Sequence, residues 1–407
     1  MLDVLIVGAG PAGLYAADRI SAKGYSVLVV ERLPSPARKF LMAGRGGLNL
    51  THSEDLDDLK HRYREAEHFL APMLDAFAPE DLRRWCHDLG EDTFIGSSGR
   101  VFPQKMKASP LLRALLRRLE RNKVTLQTRW TWTGITLDGT SQFISETGAE
   151  HRIRARATLL ALGGASWPRL GSNAAWVPAL EKHGIEIRPF KPANCGFRVA
   201  WSQHLTDRFA GAPLKRIRLN LGTNTVSGEA LLSEQGIEGG AVYALSAEIR
   251  DALEQTGTAD LRADLKPQMP LEKLVARLSA GRGKQSLSNF LRKAAGLSAA
   301  EIALLRENGQ IPDNPDALAR LIKSVPIAVS APYDIDRAIS SAGGIALEEV
   351  GENLMLEKLP GVFAAGEMLD WEAPTGGYLL QACFSMSERA SNGILEYLNT
   401  GKETETA

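Results

Sequence analysis

Six residues near the start of the chain, Gly8-Ala9-Gly10-Pro11-Ala12-Gly13, and an acid eighteen positions past Gly13, Glu31, have the types and spacing to hold a dinucleotide. Gly8 permits a tight turn, Gly10 lets backbone approach a pyrophosphate with no Cβ in the way, and Gly13 lets a helix pack closely on a strand. The amides and dipole of a helix that begins at this turn, around Pro11 and Ala12, face a diphosphate. A carboxylate at Glu31, beside Arg32, can accept hydrogen bonds from both hydroxyls of a ribose and repels a 2′-phosphate.

That chemistry requires particular elements around it, and the sequence has them in register. An apolar run, Val4-Leu5-Ile6-Val7, stops at Gly8. An amphipathic segment with Leu14, Ala17 and Ile20 on one face ends at Gly24, and a second apolar run, Val27-Leu28-Val29-Val30, stops at Glu31. Strand, turn, helix and strand make one βαβ unit. The fingerprint by itself does not distinguish one dinucleotide from another.

A second glycine loop follows at once, Arg38-Lys39-Phe40-Leu41-Met42-Ala43-Gly44-Arg45-Gly46-Gly47-Leu48-Asn49-Leu50-Thr51. Its backbone N–H groups and flanking cations suit an anionic or carbonyl-rich ligand. Further on, Thr158-Leu159-Leu160-Ala161-Leu162 reads as a buried parallel strand that ends at Gly163-Gly164. Near the C-terminus a short strand runs into Gly366-Glu367-Met368-Leu369-Asp370, and Pro374-Thr375-Gly376-Gly377-Tyr378 precedes a helical run, Leu379 to Leu398. A Gly-Gly pair at a helix start offers N–H donors to negative charge.

The intervening sequence is read for organisation. Glu54 to Leu89 is helical and charged; Ser109-Pro110 opens a helix with Ser as N-cap and Pro at its first position. Leu111, Leu112, Leu115, Leu116 and Leu119 form the buried face of this helix, and Arg113, Arg117, Arg118 and Arg121 are read as a solvated one. Val124 to Trp132 alternates as one half-buried strand, with a turn at Asp138-Gly139. Composition shifts near Pro189. The expected domains are residues 1–190 and 333–407, two parts of one α/β dinucleotide-binding domain, around an insert at 191–332 with a β part and then a helical part. Gly281-Arg282-Gly283-Lys284 is rejected as a phosphate loop, because Leu278 stands where its first glycine belongs.

Composition excludes several classes. Forty-eight basic residues balance forty-eight acidic ones, so no net field draws nucleic acid or an anionic membrane. Cys86, Cys195 and Cys383 form no C-x-x-C pair, and no histidines share a metal-like spacing. No apolar run approaches the ~20 residues of a membrane span, and a strand that begins at residue 2 or 3 leaves no room for a signal peptide. A cytoplasmic protein acting on a small-molecule substrate is expected, its oligomeric state open.

The motifs VGAGPAG at 7–13, RKFLMAGRGGLNLTH at 38–52, GRVFP at 99–103, LALGGASWPRLGS at 160–172, AGGI at 342–345 and GVFAAGEMLDWEAPTGGYLLQACFS at 361–385 together resemble the BaiN/YhiN-like family of FAD-dependent oxidoreductases, over nearly the whole chain. The resemblance implies a Rossmann-like domain, of the two-dinucleotide-binding type, that holds FAD through its N- and C-terminal parts around the insert. It places the pyrophosphate at Gly8, Gly10, Pro11, Ala12 and Gly13, and the adenosine ribose at Glu31 with Arg32. It places the flavin side at Lys39, Gly44, Arg45, Gly46 and Asn49, with Gly163 near the cofactor. Gly366 with Glu367 or Asp370 would lie at the ribityl chain, and Gly376, Gly377, Tyr378 and Leu380 at the flavin ring. Where the family has Arg-Cys before that Asn, this chain has Gly47-Leu48; His52 replaces an Asn, and no Asn follows Tyr378.

The expected reaction passes hydride from a reduced nicotinamide, NADH or NADPH, through flavin N5 to an unsaturated organic acceptor. No second G-x-G-x-x-G follows Leu162, so the nicotinamide would dock only transiently. Tyr378 is the one candidate for a catalytic proton donor, with packing against the ring as its other role. Two alternatives are a flavin-binding sensor or scaffold without turnover, and a flavoprotein that acts on RNA, suggested by the basic helix at 111–123.

Overall fold

A computed structural model describes residues 2–405; Met1, Thr406 and Ala407, at the outer ends of the expected first and last segments, lie outside the described residues. The chain packs as two compact units, one from residues up to Lys191 and from Ser340 onward, the other Pro192–Ile339.

The first unit is built on a five-stranded parallel sheet in the order Val362–Ala364, Ala155–Leu160, β1 (Leu2–Val7), β2 (Val27–Glu31), Thr125–Thr128. Val4, Leu5, Ile6 and Val7 are buried on both faces, which is why their sequence is an unbroken apolar run. Helix α1 (Pro11–Ser21) follows β1, and Ala16, Ala17 and Ile20 are buried. The chain leaves β1 for β2 on one side, while Ala155–Leu160 pairs on the other. The order therefore reverses at Gly8, and a crevice at the carboxyl ends of the strands is where such sheets hold ligands. The C-terminal helix Tyr378–Glu405 packs against α1.

Two local expectations change. The helix Ala108–Arg121 is capped by Lys107, one residue before Ala108, so Pro110 is its third residue rather than its first. The alternating run Val124 to Trp132 is two strands, Thr125–Thr128 in the parallel sheet and Trp130–Ile135 in a separate antiparallel one. Arg129 between them has φ +64°, which turns the chain out of the first sheet.

The second unit is a closed six-stranded barrel with its own core of Phe197, Leu214, Ile217, Leu219, Leu232 and Ile237. Its strands follow the order Phe197–Val199, Gly236–Glu238, Asn224–Ser233, Pro213–Leu221, Ala259–Asp264, Val325–Pro332. The helices between Leu271 and Lys323 are not a terminal addition: Val325, Ile327 and Val329 are buried on the strand that returns after them to close the barrel. The unit reaches Ile339, beyond Pro332, because Tyr333 N–H donates to Gly196 O at 2.8 Å and Ile339 N–H to Asn194 O at 3.4 Å.

Candidate active site

Three strands of the parallel sheet, β1, β2 and Val362–Ala364, end at the same edge, and each is followed by residues that the sequence singles out. β1 ends at Gly8, whose φ of +106° suits glycine; a Cβ there would stand 2.2 Å from Ala161 O. A Cβ on Gly13 would stand 2.0 Å from Gly8 O and 3.2 Å from Ile6 Cγ2. These two glycines let the turn and helix α1 close on the sheet. Gly10 differs: its backbone is extended, φ −82° and ψ −175°, and a Cβ there meets nothing within 4 Å. The space beside Gly10 is open, and among the described residues the N–H groups of Gly10, Ala12 and Gly13 have no acceptor in the chain. Pro11, the first helical residue, has no N–H to satisfy.

Glu31, at the end of β2, spans two loops: Oε2 accepts from Ala9 N at 3.1 Å and Oε1 from Leu33 N at 2.9 Å. Arg32 donates to Pro168 O at 2.9 Å, and its Nε is buried without a hydrogen-bond partner.

The second glycine loop forms helix α2 (Arg38–Ala43) and a turn, Gly44–Gly46. A Cβ on Gly44 would stand 2.7 Å from that of Ala108, whereas one on Gly46 would meet nothing within 4 Å. Arg45 is exposed. Asn49 Oδ1 and Thr51 Oγ1 are buried without a hydrogen-bond partner, and so is Ser172 Oγ, beside Gly163. Buried polar oxygens need partners, and these three have none in the chain among the described residues.

The loop joins the C-terminal segment through one ion pair. Lys39 Nζ lies 2.7 Å from Glu367 Oε2 and 2.7 Å from Ser166 Oγ. The other carboxylate oxygen of Glu367 accepts from Ser341 N at 3.0 Å, and Ser341 Oγ accepts from Ala165 N at 3.1 Å. Gly366, φ +85°, brings this segment to α1, where a Cβ would stand 3.2 Å from that of Ala12. Asp370 meets the same strand, Ser340–Ile345, that carries Ser341: its N–H donates to Ile345 O at 2.8 Å. Burial raises its carboxyl pKa in spite of a hydrogen bond from Gly343 N–H.

Gly376 and Gly377, φ +148° and +98°, precede the C-terminal helix, and their N–H groups have no acceptor among the described residues. A Cβ on Gly376 would stand 2.3 Å from the Tyr378 ring, and one on Gly377 2.6 Å from the backbone of Thr51. Leu380 lies in the first turn of that helix, partly buried against the core.

Tyr378 carries a polar cluster that the sequence does not reveal. Burial first, then the Glu54 carboxylate, raises its hydroxyl pKa well above the tyrosine range. Arg62 donates to both Glu54 oxygens, at 3.2 and 2.6 Å, and its guanidinium lies 5.7 Å from the centre of the Tyr378 ring. The His52 ring stacks at 5.4 Å, its Nδ1 taking the Glu54 N–H at 3.1 Å and its Nε2 facing Ser98 O at 3.0 Å. A hydroxyl whose pKa is raised by burial and a neighbouring carboxylate stays protonated near neutral pH.

All three cysteines are free and buried, and burial pushes the Cys86 and Cys383 thiols up to about 12. No group of three or more His, Cys, Asp or Glu among the described residues is placed to hold a metal ion, and no helix among them is long and apolar enough to cross a membrane.

Sequence reasoning missed Ser341, Ser172, Glu54 and Arg62. Tyr378 itself and His52, a departure from the family pattern, marked the cluster in advance.

Similarity to solved structures shows the fold. A flavocytochrome c3 fumarate reductase in an open conformation is 15% identical and aligns over 98% of this chain and 78% of its own, with a TM-score of 0.54. The 3-ketosteroid delta1-dehydrogenase from Sterolibacterium denitrificans, solved with 1,4-androstadiene-3,17-dione, is 14% identical over 97% of this chain and 99% of its own, with a TM-score of 0.53. Among curated relatives, a ribosomal RNA dihydrouridine synthase from Escherichia coli strain K12 is 24% identical over 97% of this chain and 98% of its own. A protein of the same name from Haemophilus influenzae is 23% identical over 94% and 95%. The model of the HI0933-like protein Rossmann domain matches residues 2–393. With its glycine turns, parallel sheet and converging loops accounted for, the chain belongs to this HI0933-like family of FAD-dependent oxidoreductases.

Proposed function

We propose that this protein reduces the 5,6 double bond of a uracil base in RNA, with electrons drawn from NADH or NADPH. The observation that carries the reading is the cradle at the carboxyl edge of the sheet: open space beside Gly10, free N–H groups at Gly10, Ala12 and Gly13, and unpartnered oxygens on Asn49 and Ser172. The near-full-length relatives named as ribosomal RNA dihydrouridine synthases direct the choice of acceptor.

FAD, when bound, supplies hydride transfer. The chain's own residues do the rest. Gly8 and Gly13 close the turn, Gly10 to Gly13 hold the diphosphate, and Glu31 receives the adenosine ribose. Lys39, fixed by Glu367 and Ser166, sets the second glycine loop against the segment after Val362–Ala364, and Asn49 and Ser172 take up polar groups of the cofactor. The N–H groups of Gly376 and Gly377 stabilise negative charge, and Tyr378 positions the ring site, held by Glu54.

Uracil is a conjugated enone. Its C6 is β to the C4 carbonyl, so reduction adds hydride at C6 and a proton at C5. An unsaturated acceptor is thus also a base in RNA.

The test is anaerobic. Flavin-loaded protein is reduced with NADPH or NADH and then mixed with an unmodified ribosomal RNA transcript. Reoxidation of the flavin by the transcript is expected. Reoxidation by 2-cyclohexenone and not by the transcript would replace the RNA reading with that of a small-molecule enone reductase.

A further inference from the structure

The helix Ala108–Arg121 carries a one-signed surface that the flavin site does not explain. From Lys105 to Lys123 the chain has seven cations and one acid, Glu120. Two of the cations have structural partners. Lys105 pairs with Glu91 at 2.9 Å, and Arg118 pairs with the buried Asp18 and lies 5.8 Å from the centre of the Trp85 ring. The other five, Lys107, Arg113, Arg117, Arg121 and Lys123, are exposed and make no ion pair among the described residues.

Arg113, Arg117 and Arg121 follow one another at intervals of four, so they form a single stripe over ~12 Å of helix. Like charges four apart destabilise a helix, so this arrangement works against the fold rather than for it. The opposite face, with Leu111, Leu112, Leu115 and Leu119 buried, fixes the stripe toward solvent.

The helix that carries the stripe begins beside the second glycine loop. The helix starts where Ala108 meets Gly44, Leu48 N–H donates to Met106 O at 2.9 Å, and exposed Arg45 and Lys107 flank that junction. Arg45 and Lys107 thus add exposed cations where this helix meets the loop that carries Gly46 and Asn49.

We propose that this face binds the phosphate backbone of RNA and holds the strand whose uracil enters the flavin site, a step that rests on the RNA reading above. The balanced charge of the whole chain does not oppose it, because phosphate contacts are local and the five free cations are concentrated on one face.

The test compares the flavin-loaded wild type with Arg113→Gln/Arg117→Gln/Arg121→Gln and with the charge-preserving Lys triple variant. Their affinity for an unmodified ribosomal RNA transcript is measured by filter binding across a salt series, with flavin content and anaerobic NADPH reduction measured in parallel. The Gln variant is expected to bind at least about tenfold more weakly, with the slope of log affinity against log salt reduced by about two to three, while the Lys variant keeps the slope. Flavin content and reduction stay unchanged in both, which shows that each variant is folded. Equal affinity and slope in the wild type and the Gln variant would overturn this surface and leave the RNA reading intact. No salt-dependent retention by the wild type at low salt would overturn both.

Discussion

Lys39 and Glu367, 328 positions apart in the chain, meet at 2.7 Å and tie the second glycine loop to the C-terminal segment. Glu367 is nearly buried, so loss of the ammonium leaves a carboxylate held by Ser341 alone. Lys39→Met is expected to destabilise the wild type more than it destabilises a protein that already carries Glu367→Gln, with a coupling energy of roughly 0.5–3 kcal/mol. Urea unfolding of the two single variants and the double variant measures it; additive effects would show that the pair does not join the segments energetically.

Gly10 and Gly13, two of the three glycines of the first turn, make opposite predictions. Gly10→Val enters open space on extended backbone, so it is expected to fold with near-normal stability yet retain no FAD. Gly13→Ala is expected to lose about 1–3 kcal/mol or more by overpacking against Gly8 O. Thermal melts and the absorbance of the purified proteins separate them. A yellow Gly10→Val protein would remove the diphosphate from this turn.

The first thirty-one residues were legible because their determinants are local: apolar runs, glycine spacing, and an acid at a strand end; the stretch from Arg38, read as a loop, opens instead with the helix Arg38–Ala43. What was not legible is non-local. Whether Trp130 continues the strand of Thr125 depends on Arg129 leaving the sheet at φ +64°, and nothing in the alternation of side chains records that. Val325–Pro332 closes a barrel begun more than a hundred residues earlier, and only strand pairing shows it. Ser341 is distant in sequence from Ala165 and Glu367, which it joins, and nothing local marks those contacts. Tyr378 was visible, but its partner Glu54 lies in a stretch that reads as ordinary charged helix.

Tyr378→Phe distinguishes positioning from proton donation. A general acid contributes about 10²–10⁴-fold to rate, whereas a ring that stacks on His52 under the Arg62 guanidinium contributes through packing that Phe preserves. Turnover within about tenfold of the wild type is expected, with an unchanged pH profile. A loss of a hundredfold or more, with the loss of one limb of that profile, would restore the hydroxyl as the acid.

Glu54 predicts a pH dependence of stability. Burial pushes its carboxyl pKa up, but hydrogen bonds from Arg62 and Tyr378 and the charge of Arg62 outweigh this, and the net shift is downward. The stabilisation is complete above the unfolded carboxylate pKa, about 4.3, and is lost as pH falls through the lower folded value. Urea midpoints of Glu54→Gln should therefore fall less steeply than those of the wild type below that pH. Identical slopes would show that the cluster adds nothing to acid stability.

The central claim is tested most directly by nucleoside mass spectrometry of an unmodified ribosomal RNA transcript, incubated with flavin-loaded protein and NADPH or NADH. Dihydrouridine is expected to form with the wild type and to be absent with Gly10→Val. If a protein whose flavin is turned over by the nicotinamide leaves every uridine of the transcript unreduced, the account of its substrate is wrong.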